Sequence, residues 1–369
     1  MSEKIRIACL GDTMPGGILH YEDGTDFCTP ELLDILKNAD IRVATLETAV
    51  GDRPTFDEEK MKRDKDVIYC PTKDLTRLNT LGINVVSLAN NHAWDLGLEG
   101  IEHTFRELDR LGIKYCGAGR NITEASEPAV LEVRGKTIAF IAYCDNKPVT
   151  CGYIPIATDT NPGINLMSES NIYDNVTNLK GKYDYLFVMM HWGKEYYYYP
   201  TSEVNRLARK IIDWGADGVI GSHSHQIQPT IFYHNKPIIF SLGNFFFPDR
   251  IINTPRSTYY PEEDFDLSQI PCTLGYPMVE QPTYKFWKDN ARKGQIVTFI
   301  IDTQLDKSTI SIQRDFTAID NKSHLKIYNQ RSPLLFRLSH YLVKFSAYGA
   351  LFFFMRGCRY IRKKINGEL

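Results

Sequence analysis

Val219-Ile220-Gly221-Ser222-His223-Ser224-His225-Gln226 is an apolar run that stops at a glycine and then delivers two histidines at i, i+2. With Asp217-Gly218 before it, the run reads as a buried strand. In an extended backbone, residues two apart point the same way, roughly 6–7 Å from one another at about 3.3 Å rise per residue. That spacing lets one histidine serve each of two metal ions ~3.5–4 Å apart. A polar loop with two solvated histidines explains the same eight residues equally well. The metal reading gains weight because a strand followed by a ligand-type residue recurs along the chain.

The recurrences are read outward from this stretch. Lys4 to Leu10 reads as a strand followed by Gly11-Asp12-Thr13-Met14, and Ile41 to Leu46 as one ending at Glu47. Ile83 to Ala89 ends in Asn90-Asn91-His92, Tyr185 to Met190 in His191-Trp192-Gly193, and Lys236 to Leu242 in Gly243-Asn244. Between them lie helical patterns at about 29–38, 73–81, 95–111 and 202–214. The 95–111 pattern places Leu98, Ile101, Phe105 and Leu108 on one face and stops at Gly112. Alternation of strand and helix at this spacing predicts a layered α/β fold. Residues 128–133 and 137–143, around Arg134-Gly135-Lys136, predict a hairpin. Ile296–Ile301 and Thr309–Gln313 predict a last strand pair.

In open α/β sheets, ligands bind beyond the carboxyl ends of the strands. The residues gathered there are Asp12, Glu47, Asn91, His92, His191, His223, His225 and Asn244. Mixed imidazole, carboxylate and amide donors without cysteine suit Mn²⁺, Fe or Zn²⁺. Asp95 reads as a cap for the helix that follows it, compatible with orienting His92. His20, His103, His234, His324 and His340 read as surface or locally hydrogen-bonded residues.

Composition sets outer bounds. The chain has 369 residues, 43% apolar and 24% charged, with net charge −2, which argues against nucleic acid as a main partner. Eight irregularly spaced cysteines without a C-x-x-C pair read as buried free thiols. Met1-Ser2-Glu3-Lys4-Ile5 enters a strand with no apolar leader, so a reducing, cytoplasmic setting is expected. No G-x-G-x-x-G follows the first strand, which speaks against a Rossmann-type nucleotide enzyme.

Two regions read differently from the core. Residues 248–294 are rich in Pro, Tyr and acid and are expected to form a long insertion or lid on a domain spanning 1–319. Residues 320–369 are expected to form a helical extension. From residue 332 onward, seven Lys/Arg stand against Glu368 alone, a net +6 that leaves −8 for the rest. Its apolar stretch Phe345 to Met355 is too short to span a bilayer. Two alternatives remain: a helix packed on the core through Leu351, Phe354 and Cys358, or a basic amphipathic helix on an anionic membrane.

Taken as one pattern, Gly11-Asp12-Thr13-Met14, Leu46-Glu47-Thr48, Ala89-Asn90-Asn91-His92-Ala93-Trp94-Asp95-Leu96-Gly97, His191-Trp192-Gly193-Lys194-Glu195-Tyr196, Gly221-Ser222-His223-Ser224-His225 and Ser241-Leu242-Gly243-Asn244-Phe245 resemble the calcineurin-like metallophosphoesterases, and more closely the capsule-synthesis CapA family. The resemblance covers roughly residues 4–247. It implies a four-layer sandwich with a mixed β-sheet core and one or two divalent cations. Asp12 and His225 would hold one metal, Asn91, His191 and His223 the other, with Glu47 bridging. His92 would protonate the leaving oxygen, and Trp192, Tyr196 and Asn244 would border the substrate. Met14 stands where calcineurin-like enzymes carry a second histidine, and Glu47 where they carry an aspartate.

The implied activity is metal-dependent hydrolysis of a phosphoester or a related acyl or amide bond in capsule or surface-polymer synthesis. A non-catalytic accessory role, binding an anionic polymer or lipid carrier, is the alternative. The expected partners are a phosphorylated or anionic polymer substrate and other capsule-synthesis proteins, and the membrane alternative for residues 332–369 adds peripheral contact with its inner face.

Overall fold

The computed structural model describes residues 4–22, 24, 26–52, 66–146, 154–253, 257–261, 270–273, 282–304, 309–328 and 343. Two large mixed sheets face each other. The first is eight-stranded, in the order Leu325–Ile327, Ile310–Ile319, Lys293–Asp302, Lys4–Thr13, Ile41–Leu46, Val85–Ser87, Lys114–Cys116, with Asn244–Phe246 also paired to Lys4–Thr13. The second is six-stranded: Thr230–Tyr233, Lys236–Ile239, Gly218–Ser222, Tyr185–His191, Lys136–Cys144, Ala129–Val133.

The central strands of each sheet run parallel, and helices return the chain between most of them; Gly218–Ser222 and Lys236–Ile239 are instead joined through the strand Thr230–Tyr233. Both faces of such strands are buried, which is why they read as continuous apolar runs. Alternation still sorts their side chains. Phe140, Phe187 and Met189 enter the core between the sheets, where Phe187 and Phe299 place ring centroids 5.2 Å apart. Ala139, Ile141, Leu186, Val188 and Met190 face the opposite way, onto Val204, Leu207, Ala208 and Ile211 of the Ser202–Trp214 helix. That helix is capped by Thr201, whose hydroxyl accepts the Val204 N–H.

Several expectations are revised. The strand after Met1 continues through Asp12 to Thr13. The 73–81 pattern divides into a 3₁₀ turn, Thr72–Thr76, and a short helix, Arg77–Thr80. The 95–111 helix starts at Gly97, and Leu98 is 53% exposed, off the buried face of Ile101, Phe105 and Leu108. The last strand pair is longer than predicted, and a further strand, Leu325–Ile327, also joins the first sheet. Within 248–294, the strands Arg250–Asn253, Ser257–Tyr259, Cys272–Thr273 and Thr283–Lys285 form a separate four-stranded sheet.

Cys9, Cys28, Cys70 and Cys116 are free and buried, and Cys144 is buried as well. No helix among the described residues is long and apolar enough to cross a membrane. Leu351, Phe354 and Cys358 lie outside the described residues. Val343 is fully buried in the second core, and its carbonyl accepts a 3.0 Å hydrogen bond from Asn205 Nδ2.

Candidate metal centre

The carboxyl ends of strands from both sheets meet at one rim, and each side chain there has a local reason for its position. In the Lys4–Thr13 strand, pairing with Ile41–Leu46 shifts register between Cys9 and Asp12, and such an irregularity re-aims the side chain that follows. On its other side Asp12 is in register with Asn244, and its backbone N–H donates to the Gly243 carbonyl at 3.0 Å. Gly11 permits this approach, since a Cβ there would lie 1.9 Å from the Gly243 oxygen. Glu47 is held beside the same strand by its N–H to Thr13 O at 2.9 Å.

The Asn90–His92 segment is fixed from below. Asn90 Nδ2 donates to Leu46 O at 2.7 Å, and Asn90 Oδ1 accepts the His92 N–H at 2.9 Å. Asn91 Oδ1 then lies 2.6 Å from His191 Nε2. The parallel register of Tyr185–His191 with Gly218–Ser222 sets His191 opposite Ser222, whose hydroxyl lies 2.9 Å from His191 Nδ1. The other imidazole nitrogen is thereby aimed at the rim.

His223 and His225 arrive by a route unlike the extended one expected. The strand stops at Ser222, and both histidines have positive φ, 88° and 51°. Side chains seldom adopt that backbone, and it is retained where surrounding contacts fix it. Here the His223 N–H donates to Asp12 Oδ2 at 3.2 Å, and the Ser224 carbonyl accepts the Tyr196 N–H at 2.7 Å. The two imidazole centroids lie 6.4 Å apart.

Two groups of donor atoms result, each within 4.8 Å: Glu47, His191 and His223, and Asp12, Glu47 and His225. Glu47 belongs to both. His191 Nε2 lies 3.0 Å from His223 Nδ1 and 3.5 Å from Glu47 Oε1, while His225 lies 3.6 Å from Asp12 and 3.8 Å from Glu47. All five side chains are buried. Burial raises the Asp12 pKa well above the usual carboxylate range, and the neighbouring Glu47 charge raises it further. Burial, reinforced by His223, lowers the His225 pKa to about 3, so the ring is neutral with a lone pair available. Two adjacent buried acidic side chains among three imidazoles could hold a metal ion, and a donor set of this mixed kind suits Mn, Fe or Zn.

His92 stands beside this set. Its Nδ1 meets Asp95 Oδ2 at 2.6 Å, and the same oxygen accepts the Ile68 N–H at 2.6 Å. Asp95 therefore orients His92, and the cap position of the helix falls to Leu96 without a side-chain bond. Met14 is turned away from the donors: its sulfur accepts the Gly16 N–H.

The residues expected to border substrate separate. Tyr196 sits at the mouth, 48% exposed, its ring centroid 6.0 Å from that of His225. Asn244 instead orients His225, with Oδ1 2.8 Å from Nδ1 and Nδ2 donating to Ala291 O. Trp192 is 2% exposed in the second core, and its indole N–H donates to Phe240 O at 3.0 Å. It supports the strand end from behind. Two aromatic residues that sequence reading passed over, Phe247 and Trp287, pack on His225 with centroids at 5.8 and 5.0 Å.

Of the remaining histidines, His20 bonds Asp74 at 2.9 Å, His103 bonds Thr72 at 2.9 Å and His324 bonds Glu22 at 2.7 Å. His234 pairs loosely with Asp213, and His340 lies outside the described residues.

Comparison with known proteins assigns the family. Residues 6–249 match the bacterial capsule synthesis protein PGA_cap, and the chain belongs to that family. It is 29% identical over 259 residues to the capsule biosynthesis protein CapA of Bacillus anthracis, covering 67% of this chain and 60% of that one. It is 29% identical over 244 residues to the PGA biosynthesis protein CapA of Bacillus subtilis (strain 168), covering 64% and 62%. A Mycobacterium tuberculosis relative named "Probable polyglutamine synthesis accessory protein" is 30% identical over 224 residues, covering 58% of each. The chain thus spans about three-fifths of the length of these relatives.

Proposed function

We propose that the protein is a metal-dependent hydrolase, acting on a phosphoester or a related acyl or amide bond during synthesis of a capsule or similar surface polymer. The observation that carries this reading is the pair of buried donor groups sharing Glu47. Asp12 and His225 would hold one cation, Asn91, His191 and His223 a second, and Glu47 both. When bound, such a cation supplies Lewis acidity, favouring ionisation of a water and neutralising charge at the attacked centre.

The chain's own groups supply the rest. His92, held by Asp95, would donate a proton to the departing oxygen. Ser222 and Asn244 fix the ring orientations of His191 and His225, so the donor set is organised in advance. Tyr196 closes one side of the entrance. The two facing sheets with helices packed on their outer sides support a calcineurin-like four-layer arrangement.

The surroundings we propose are the cytoplasmic side of the membrane, a phosphorylated or otherwise anionic polymer as substrate, and other capsule-synthesis proteins as neighbours. Free buried thiols and the basic stretch from residue 332 support this placement. A second reading, an accessory protein that binds an anionic polymer without turnover, is favoured by the name of the mycobacterial relative.

The test is elemental analysis of unchelated protein together with a phosphomonoester assay in Mn²⁺. The hydrolase reading expects one or two divalent ions per chain, lost in the His191→Ala, His223→Ala double variant, and turnover lost with them. Full metal content in that variant sinks the reading. Metal binding without turnover, with tail-dependent retention of acidic polymer, selects the accessory role.

A further inference from the structure

Beside the metal centre lies a buried cation whose donors are incompletely used. Arg250 is 4% exposed, and its guanidinium carbon stands 5.7 Å from the Phe247 ring and 5.8 Å from the Trp287 ring. Those are the two rings that pack on His225. Nη2 makes a loose ion pair with Asp66 at 3.5 Å, and Asp66 also pairs with Lys285 at 3.3 Å. Nε and Nη1 are buried and have no hydrogen-bond partner among the described residues.

Two other largely buried arginines show what a structural role looks like in this chain. Arg77 donates to the carbonyls of Pro15, Leu19 and Glu22 and to Asp74. Arg292 donates to Trp287 O, Asp320 O and Asp249. In both, the terminal nitrogens are satisfied, as burial of a guanidinium demands. Arg250 departs from that rule next to the candidate metal donors. The two aromatic faces that hold it are apolar, so its spare N–H groups select a charged oxygen acceptor.

We propose that Arg250 anchors an oxyanion subsite beside the metal centre, taking a phosphate or carboxylate group of the substrate next to the bond that reacts. Lys285, behind Asp66, adds positive charge, which Asp66 and Glu195 offset in part. The subsite deepens the hydrolase reading and rests on it for its link to a reaction.

The experiment uses the full chain stripped of metal with chelator, titrated calorimetrically with inorganic phosphate and separately with glutarate. Metal content is measured in parallel on unchelated samples. The subsite predicts that the wild type binds at least one of the two anions, and that folded Arg250→Ala binds it about tenfold or more weakly, as loss of a charge-assisted contact implies. Arg250→Lys falls between. Preference for phosphate or for glutarate identifies which oxyanion the site takes. Equal affinity in wild type and Arg250→Ala, or no binding of either anion by the wild type, overturns the proposal. Should Arg250→Ala not fold, Arg250→Lys decides: folded with undiminished affinity, it overturns the subsite as well. A wild type that binds no divalent ion but binds phosphate through Arg250 removes the metal reading and leaves the subsite standing.

Discussion

The backbone N–H of His223 donates to the carboxylate of Asp12, at 3.2 Å to Oδ2 and 3.4 Å to Oδ1, across 211 positions of sequence. This bond joins the first strand of one sheet to the loop that leaves the other, at the point where the donors converge. Asp12 thus has two tasks: accepting that N–H and presenting an oxygen to the rim.

The two tasks separate on substitution. Asp12→Asn keeps an oxygen for the His223 N–H, so the melting temperature stays close to wild type while bound metal falls. Asp12→Ala leaves a buried N–H unmatched and loses about 1–3 kcal/mol of stability as well. Urea denaturation and elemental analysis of the two variants test this. Equal metal content in all three proteins contradicts the role given to Asp12.

His92 and Asp95 divide chemistry from positioning. His92→Ala is expected to lower turnover of a phosphomonoester by about 10²–10⁴-fold with metal content unchanged. Asp95→Asn is expected to lower it by about 10–100-fold, because the ring loses its anchor but not its proton. Steady-state kinetics at saturating Mn²⁺ checks both. A larger effect at Asp95 than at His92 reverses the assignment.

Gly11→Ala tests how tightly the two chain segments under the site are pressed together. The added Cβ would meet the Gly243 carbonyl oxygen at 1.9 Å, which only backbone displacement relieves. Forced displacement in a close-packed core costs about 1–3 kcal/mol or more, and the shift moves Asp12 away from Asn244. The expected outcome is a lower denaturation midpoint together with weakened metal retention. Wild-type values for both would show that the contact is slack.

Lys285 gives the fold a signature above neutral pH. Burial, with Arg250 adding to it, lowers its pKa from the ordinary lysine value to about 8. The charged form is therefore disfavoured in the folded chain. Between about pH 8 and the unfolded value near 10.4, the unfolded state binds the extra proton, so stability rises with pH, by ~1.4 kcal/mol per unit at most. Lys285→Met lacks that rise. Denaturation of both proteins from pH 7 to 10 should show the wild type gaining on the variant only above pH 8; parallel curves refute the shift.

Much of the site is legible because parallel strands buried on both faces stand out as apolar runs, so whatever ends them is conspicuous. Asp12, Glu47, Asn91, His191 and the His223/His225 pair are found that way. The backbone at His223 and His225 is not, because positive φ at a histidine has no pattern in sequence. Trp192 could have been placed by period-2 alternation: it follows His191 and so shares a face with Leu186, Val188 and Met190, away from the rim. Leu98 fits the helical spacing, yet the helix begins only at Gly97 and its first turn is not covered. Phe247, Arg250, Lys285 and Trp287 are invisible for another reason. Their stretch of sequence carries no periodicity, and only the folded chain brings Phe247 and Trp287 onto His225, Arg250 against both rings and Lys285 beside Arg250.

The pairing of Asp12 with Asn244 and the closeness of Gly11 to Gly243 also govern when the site can exist during synthesis. Asp12, Glu47 and Asn91 leave the ribosome early, yet the imidazoles that complete both donor groups come from His191, His223 and His225, and the strand that locks Asp12 in place ends at Phe246. A nascent chain that has not yet released this segment carries an acidic half-cradle. A cation held by both groups would therefore be captured late in biogenesis, and its capture would report that distant parts of the polypeptide have found one another.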